Sequence, residues 1–211
     1  MQSGDLASIE GVRGTVFAGR NAAAVAGFWV TYAGWITAEW GLAVRDARSP
    51  SPAHGNADAG TRRVFLGWLV AGLVLGFVLA SSGGVGQVVR GPVAVLVGLP
   101  VAWIGLGLRL WAVRTLGRFF RRSVTIEADH VLVTAGPYRV LRHPSYTGGL
   151  VIGAGLGIAT GNLAALAAFT ILPLIGILPR IRVEEAALLG ALGDRYADYK
   201  QHTWRLLPGI W

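Results

Sequence analysis

Two short stretches hold most of the side chains able to do chemistry, residues 130–146 and 180–199. The first ends in Arg142-His143-Pro144-Ser145-Tyr146 and leads into an apolar run. Pro144 suits the first turn of a helix, where its missing N–H costs nothing. The free N–H groups of that turn favour an anionic or carboxylate-bearing ligand. His143 precedes a proline and is biased to extended backbone, so its ring projects from the mouth of the helix. The second stretch opens Arg180-Ile181-Arg182-Val183-Glu184-Glu185. Arg180 and Glu184 are one helical turn apart and can point the same way, either as an ion pair or as a ligand-binding pair.

At about 100° per residue, Ile181, Leu188, Leu192, Tyr196 and Tyr199 make one apolar stripe, with Asp194 and Asp198 opposite. Glu184 and Glu185 lie on or within that stripe. Carboxylates on a buried face need partners, and the candidates are nearby arginines or a cationic ligand. For Glu185, pairing with Arg142 or Arg182 for structure stands beside a part in function.

The elements that position these residues are apolar. Of the 211 residues 53% are hydrophobic and 14% charged, against roughly 25% charged in soluble domains. Mean hydropathy is +0.53. A spanning helix needs roughly 20 mostly apolar residues, and Ala22–Val44, Val64–Ser82 and Pro92–Val113 qualify. A further apolar block, 146–178, is interrupted by Gly161-Asn162 and reads as a helical hairpin turning there. Pro173 kinks the return helix and Pro179 ends it. The expectation is an all-α integral membrane protein with five transmembrane helices and a cytoplasmic C-terminal helix covering a pocket. Gly67, Gly72, Gly76, Gly98, Gly105 and Gly107 permit close helix contact in lipid.

The net charge of +8 comes from arginines set between apolar runs. That pattern fits bilayer orientation and anionic headgroups, with no nucleic acid as partner. The arginines of 45–63 and 114–143 put both segments in the cytoplasm by the positive-inside rule. This requires an odd number of spans and places 82–92 and the N-terminus outside. Arg118, Arg121 and Arg122 read as a headgroup and topology patch.

Residues 1–20 lack the order of a cleaved signal, and the loop holding His54 reads as a mobile polar linker. Glu39 is a functional candidate as an intramembrane acid, with snorkelling to the interface the plainer account. Without cysteine there is no disulfide, thiolate nucleophile or Cys-based zinc site, and no metal is expected. One membrane domain spans 1–211, with three spanning helices in 1–113 and a ligand-binding core in 114–211. The Ala, Gly, Val and Arg bias suggests a GC-rich bacterial genome and a multi-pass protein of the plasma membrane.

Gly136-x-Tyr138, Arg142-His143-Pro144-x-Tyr146, Gly161-Asn162, Arg180-x-x-x-Glu184-Glu185 and Gly193-x-x-Tyr196-x-x-Tyr199 stand in the order and approximate spacing of one family. Over about residues 130–208 the chain resembles the isoprenylcysteine carboxyl methyltransferases, relatives of the phospholipid N-methyltransferases. The first three helices resemble the family only in being apolar. The resemblance implies a membrane enzyme using S-adenosyl-L-methionine. It implies that His130, Val131, Leu132, Val133, Tyr138, His143, Pro144, Ser145 and Tyr146 contact the cofactor. Glu184 would bind the cofactor's amino-acid end, and Arg180 would hold the acceptor carboxylate, these two being the catalytic residues. Ser123 stands near a position where the family commonly has Gln or Asn. The implied partners are membrane lipids and a lipophilic or lipidated acceptor, isoprenylcysteine-like or otherwise, arriving from the bilayer.

Methyl transfer from a sulfonium needs neither metal nor covalent nucleophile, and a carboxylate acceptor, ionised near pH 7, needs no base. An amine acceptor would need its proton removed, a task for His143 or Glu185. Two other readings are a sterol-reductase-like enzyme using NADPH, whose known members are usually much longer, and a non-catalytic membrane subunit or small transporter.

Overall fold

The computed structural model describes residues 22–48, 60–82, 86–89, 92–120 and 131–210. Among them there are helices and isolated bridges but no strand. The helices are α1 Ala22–Arg48, α2 Thr61–Ser81, α3 Pro92–Leu116, α4 Pro144–Ala159, α5 Leu163–Leu192 and α6 Asp194–Gln201. Short 3-10 turns cover Gly117–Phe119 and Gly136–Arg139. Three helical stretches are long and apolar enough to cross a membrane: Thr61–Ser81, Pro92–Phe119 and Leu163–Leu192. Residues 131–134, which lead to Gly136, form no regular element.

The hairpin at Gly161-Asn162 follows from local chemistry. Gly161 has φ +63°, a conformation costly for other residues. Its carbonyl accepts from Val88 N and Val89 N at 3.0 and 3.1 Å. Asn162 caps α5, accepting from Ala165 N at 2.9 Å, and donates to Leu79 O at 3.1 Å. Pro144 opens α4 as expected.

The return helix departs from expectation. It runs unbroken through both Pro173 and Pro179 to Leu192. A proline removes one helical hydrogen bond at a cost of about 3 kcal/mol, and in membrane bundles the surroundings absorb that loss. Helical phase therefore persists past Pro179, and Ile177, Arg180, Glu184 and Leu188 share one face. The break comes at Gly193, with φ +54°. Tyr196 and Tyr199 thus belong to a separate helix, α6, and do not extend the stripe of α5.

Helices α3 and α4 meet backbone to backbone. A Cβ on Gly105 would stand 2.6 Å from Ile152 N, and one on Gly148 2.7 Å from Arg109 N. Gly98 and Gly155 are closer still to the opposing main chain. Gly72 likewise brings α2 close to the Ala168 carbonyl of α5, while Gly76 makes room for the Phe169 ring. Gly67 and Gly107 have nothing within 4 Å, so they are not the contact residues expected of them.

Replacing Gly155 by Val should lower unfolding stability in detergent by about 1–3 kcal/mol, the usual cost of overpacking. Gly107→Ala should leave it unchanged or raise it by up to about 1 kcal/mol. Denaturant titration followed by tryptophan fluorescence checks the contrast.

Candidate active site

Helix phase, the α3–α4 contact and the C-terminal segment converge on one cavity of about 290 Å³. That is near the lower end of small-molecule sites, which run from roughly 300 Å³ upward. Its polar end is built around Tyr146, in the first turn of α4. The Tyr146 hydroxyl donates to Glu184 Oε2 at 2.9 Å and accepts from Arg180 Nε at 2.7 Å. The His143 ring stacks on Tyr146 with centroids 5.7 Å apart, and its Nδ1 lies 3.9 Å from Glu184 Oε2. Arg180 and His143 are both buried.

Adjacent Glu184 and Glu185 have different environments. The Glu184 side chain is 33% exposed and that of Glu185 only 7%. Glu185 accepts from Arg142 Nε at 3.0 Å and from Arg205 Nη2 at 2.8 Å, and His143 Nε2 lies 3.3 Å away. Arg142 and Arg205, rather than Arg182, are its partners. The hydrogen bond to Glu185 is the main cause raising the Arg205 pKa. Arg142 also donates to Lys200 O at 2.9 Å and to Thr203 O. Main-chain bonds from Arg142 N to Trp204 O and from His143 N to Arg205 O complete the clasp. Thr147 Oγ1 adds a bond to Leu206 O at 2.8 Å. Glu185 is thus the anchor of a buried charge cluster that holds the C-terminal segment against the mouth of α4.

A second ion pair overturns the snorkelling account of Glu39. Arg109 holds Glu39 with two nitrogens, Nη2 at 2.9 Å and Nε. Its Nη1 donates to Ser145 O and Ser145 Oγ at 3.0 and 2.9 Å. Glu39 faces the cavity, not the interface, because Arg109 projects from α3 where the glycine contact brings α4 close. The pair ties α1 to the first turn of α4.

Of the residues expected at the site, Val131, Leu132, Val133, Tyr138, His143, Ser145, Tyr146, Arg180 and Glu184 line the cavity. Pro144 is fully buried behind them. His130 and Ser123 lie outside the described residues. Arg109 also lines the cavity and carries no signal of its own in the sequence; Glu39, a functional candidate, and Arg142, a candidate partner of Glu185, line it as well, as do Tyr196 and Tyr199. The pattern Gly193-x-x-Tyr196-x-x-Tyr199 is the sequence signal for the tyrosines, whose helical spacing alone reads as an apolar stripe.

Tyr196 is 1% exposed, and its hydroxyl has no hydrogen-bond partner among the described residues. A buried hydroxyl without a protein partner is uncommon in folded proteins. Burial first, then the charges of Glu185 and Glu184, push the Tyr196 phenol well above its ordinary pKa. Burial does the same to Tyr138 and moves Tyr199 up to about 12. All three are neutral hydroxyls at physiological pH, so none acts as a phenolate base.

Residues 96–190 match the isoprenylcysteine carboxyl methyltransferase (ICMT) family. That match occupies the central part of the chain. It begins inside α3, so the family likeness takes in more than the apolar character expected of that helix, and it includes Tyr146, Arg180 and Glu184. A protein-S-isoprenylcysteine O-methyltransferase of Tribolium castaneum is 38% identical over 54% of this chain and 41% of its own length. A probable one from Oryza sativa subsp. indica is 37% identical over 54% of this chain and 61% of its own. The chain thus spans about 40–60% of the length of these curated relatives. Both are eukaryotic and add nothing to the expectation of a bacterial source. A solved structure of the eukaryotic intramembrane Ras methyltransferase ICMT superposes with TM-score 0.53 and 29% identity, covering 70% of this chain and 52% of that one. The ICMT-like membrane architecture is therefore common to both.

Removing one partner of a buried ion pair costs roughly 3–5 kcal/mol, so Glu185→Ala should lose about that much stability. Glu184→Ala, at a one-third-exposed position, should lose under about 1 kcal/mol; thermal unfolding of both variants reads the difference. Alkaline titration gives a second check. The fold favours protonated Tyr199, whose phenol would ionise near 10 when unfolded. Stability should therefore be intact below pH 10 and fall as pH rises towards 12.

Proposed function

We propose that the cavity binds S-adenosyl-L-methionine at its polar end and directs its methyl group to the carboxylate of an isoprenylcysteine-like lipophilic acceptor. The observation that carries this is the Arg180–Tyr146–Glu184 array at one end of a cavity whose remaining walls are largely apolar. The residues present suit the cofactor. Glu184 offers a carboxylate to an ammonium, and the Tyr146 and His143 rings offer faces to a cation. Residues Val131, Leu132, Val133, Tyr138, His143, Ser145 and Tyr146 supply the remaining contacts in this reading, with Pro144 and His130 flanking them.

When bound, S-adenosyl-L-methionine supplies a methyl group on a sulfonium, a leaving group that needs no protonation. Arg180 holds the acceptor carboxylate, which is ionised near neutrality and needs no base. Tyr146 fixes the relative position of Arg180 and Glu184 through its shared hydroxyl. The chain's task is alignment and exclusion of water, the two contributions expected of a preorganised site.

The same proposal covers topology. Helices α1 to α5 cross the membrane, α4 and α5 as a hairpin. The arginine-rich end carrying the cavity faces the cytoplasm, as in a multi-pass protein of the plasma membrane. Helix α6 covers the cofactor end. The core in 114–211 works with walls from α1 and α2, so 1–211 acts as one unit.

Calorimetry of purified protein with S-adenosylhomocysteine should give saturable binding, and NADPH should give none. Glu184→Ala should weaken binding about 10–100-fold, the worth of a hydrogen bond to a charged group. Arg180→Ala should keep that binding yet lose at least about 100-fold in methyl transfer to a farnesylcysteine. Binding indifferent to Glu184→Ala and His143→Ala would contradict the assignment.

A further inference from the structure

Most of the glycines in the helices have a reason in packing. Gly153 is one: a Cβ there would collide with Phe169 O of α5. Five helical glycines, Gly41, Gly67, Gly107, Gly149 and Gly190, would meet nothing within 4 Å. Four of them, all but Gly149, are exposed on the outer surface. Gly149 is half-buried and lines the cavity. It lies one turn beyond Tyr146, in the direction away from Arg180 and Glu184.

Glycine inside a helix is costlier than alanine, and here no neighbour and no positive φ requires it. What it does is leave the wall bare where the polar end gives way to the apolar arm. That arm runs along α2 from Arg62 to Leu73, about 16 Å of helix axis at the usual rise. Beyond Leu73 it is stopped by aromatic rings. Phe77 stacks on Trp29 with centroids 5.9 Å apart and meets Phe169 edge-on at 5.3 Å.

We propose that Gly149 is a specificity-determining residue: its missing side chain opens the neck through which the acceptor's isoprenoid chain passes into the apolar arm. The inference rests on the reading that this arm takes the lipid part of the acceptor, and it deepens that reading by naming the position that sets the width. A side chain at residue 149 points into the neck and narrows it in proportion to its size. Cofactor contacts, which lie on the other side of Tyr146, are not in its path.

The test uses equilibrium binding of a fluorescent S-farnesylcysteine to the full chain in nanodiscs, for the wild type, Gly149→Ala and Gly149→Leu, with thermal unfolding as the folding control. The expected result is a two- to threefold loss of affinity for Gly149→Ala and at least a tenfold loss for Gly149→Leu. Gly149→Ala should unfold no earlier than the wild type, so the milder variant remains informative where the larger one fails to fold. Unchanged farnesylcysteine affinity in the variants would overturn the proposal, as would a wild type that binds no farnesylcysteine. S-adenosylhomocysteine binding is measured in parallel. If it is absent while farnesylcysteine binding still responds to residue 149, methyl transfer fails and the neck stands.

Discussion

A single hydroxyl joins the two helices on which the site is built. Tyr146 accepts from Arg180 and donates to Glu184, so one group at the mouth of α4 sets two side chains of α5 that differ in charge. Inside a bundle a charged side chain is tolerated only with partners. The array gives Arg180 a neutral acceptor and leaves Glu184 with capacity to spare. A carboxylate that is partly satisfied and one-third open is suited to a cationic ligand. The neighbouring Glu185, closed in by Arg142 and Arg205, is not.

For that hydroxyl to be in place, α4 must be held on several sides. The glycine contact fixes it against α3. Arg109 carries the restraint to α1 through Glu39 while gripping Ser145 next to the key tyrosine. From the other direction, residues 203–206 clasp 140–147 through main-chain bonds and the Glu185 cluster. The side chains proposed to meet the ligand are thus supported by a second set whose work is structural. The supporting set includes α1, which lies outside residues 96–190, the stretch similar to the family.

What could be read from the sequence was local. Pro144 at the start of α4, the turn at Gly161-Asn162 and the shared face of Arg180 and Glu184 each depend on residues within a turn or two. Their signals survive because tertiary context had no reason to override them. The errors came where context did decide. Pro179 marks a helix end in an isolated chain, but packing kept α5 helical past it, and the stop fell to Gly193 with its positive φ. Glu39 and Arg109 are 70 residues apart, and nothing near either names the other. Arg205 was similarly invisible, because a clasp formed by chain return has no periodicity. Tyr196 at helical spacing reads as core until its hydroxyl is found without a partner among the described residues.

The central claim is that the mouth of α4 and the acid-bearing face of α5 enclose one cationic cofactor. A structure determined with S-adenosylhomocysteine tests it most directly. The account predicts the ligand's amino group within about 3 Å of Glu184 and the ligand packed against the Tyr146 and His143 rings. A ligand bound elsewhere, or one whose amino-acid end is turned away from Glu184, would contradict it.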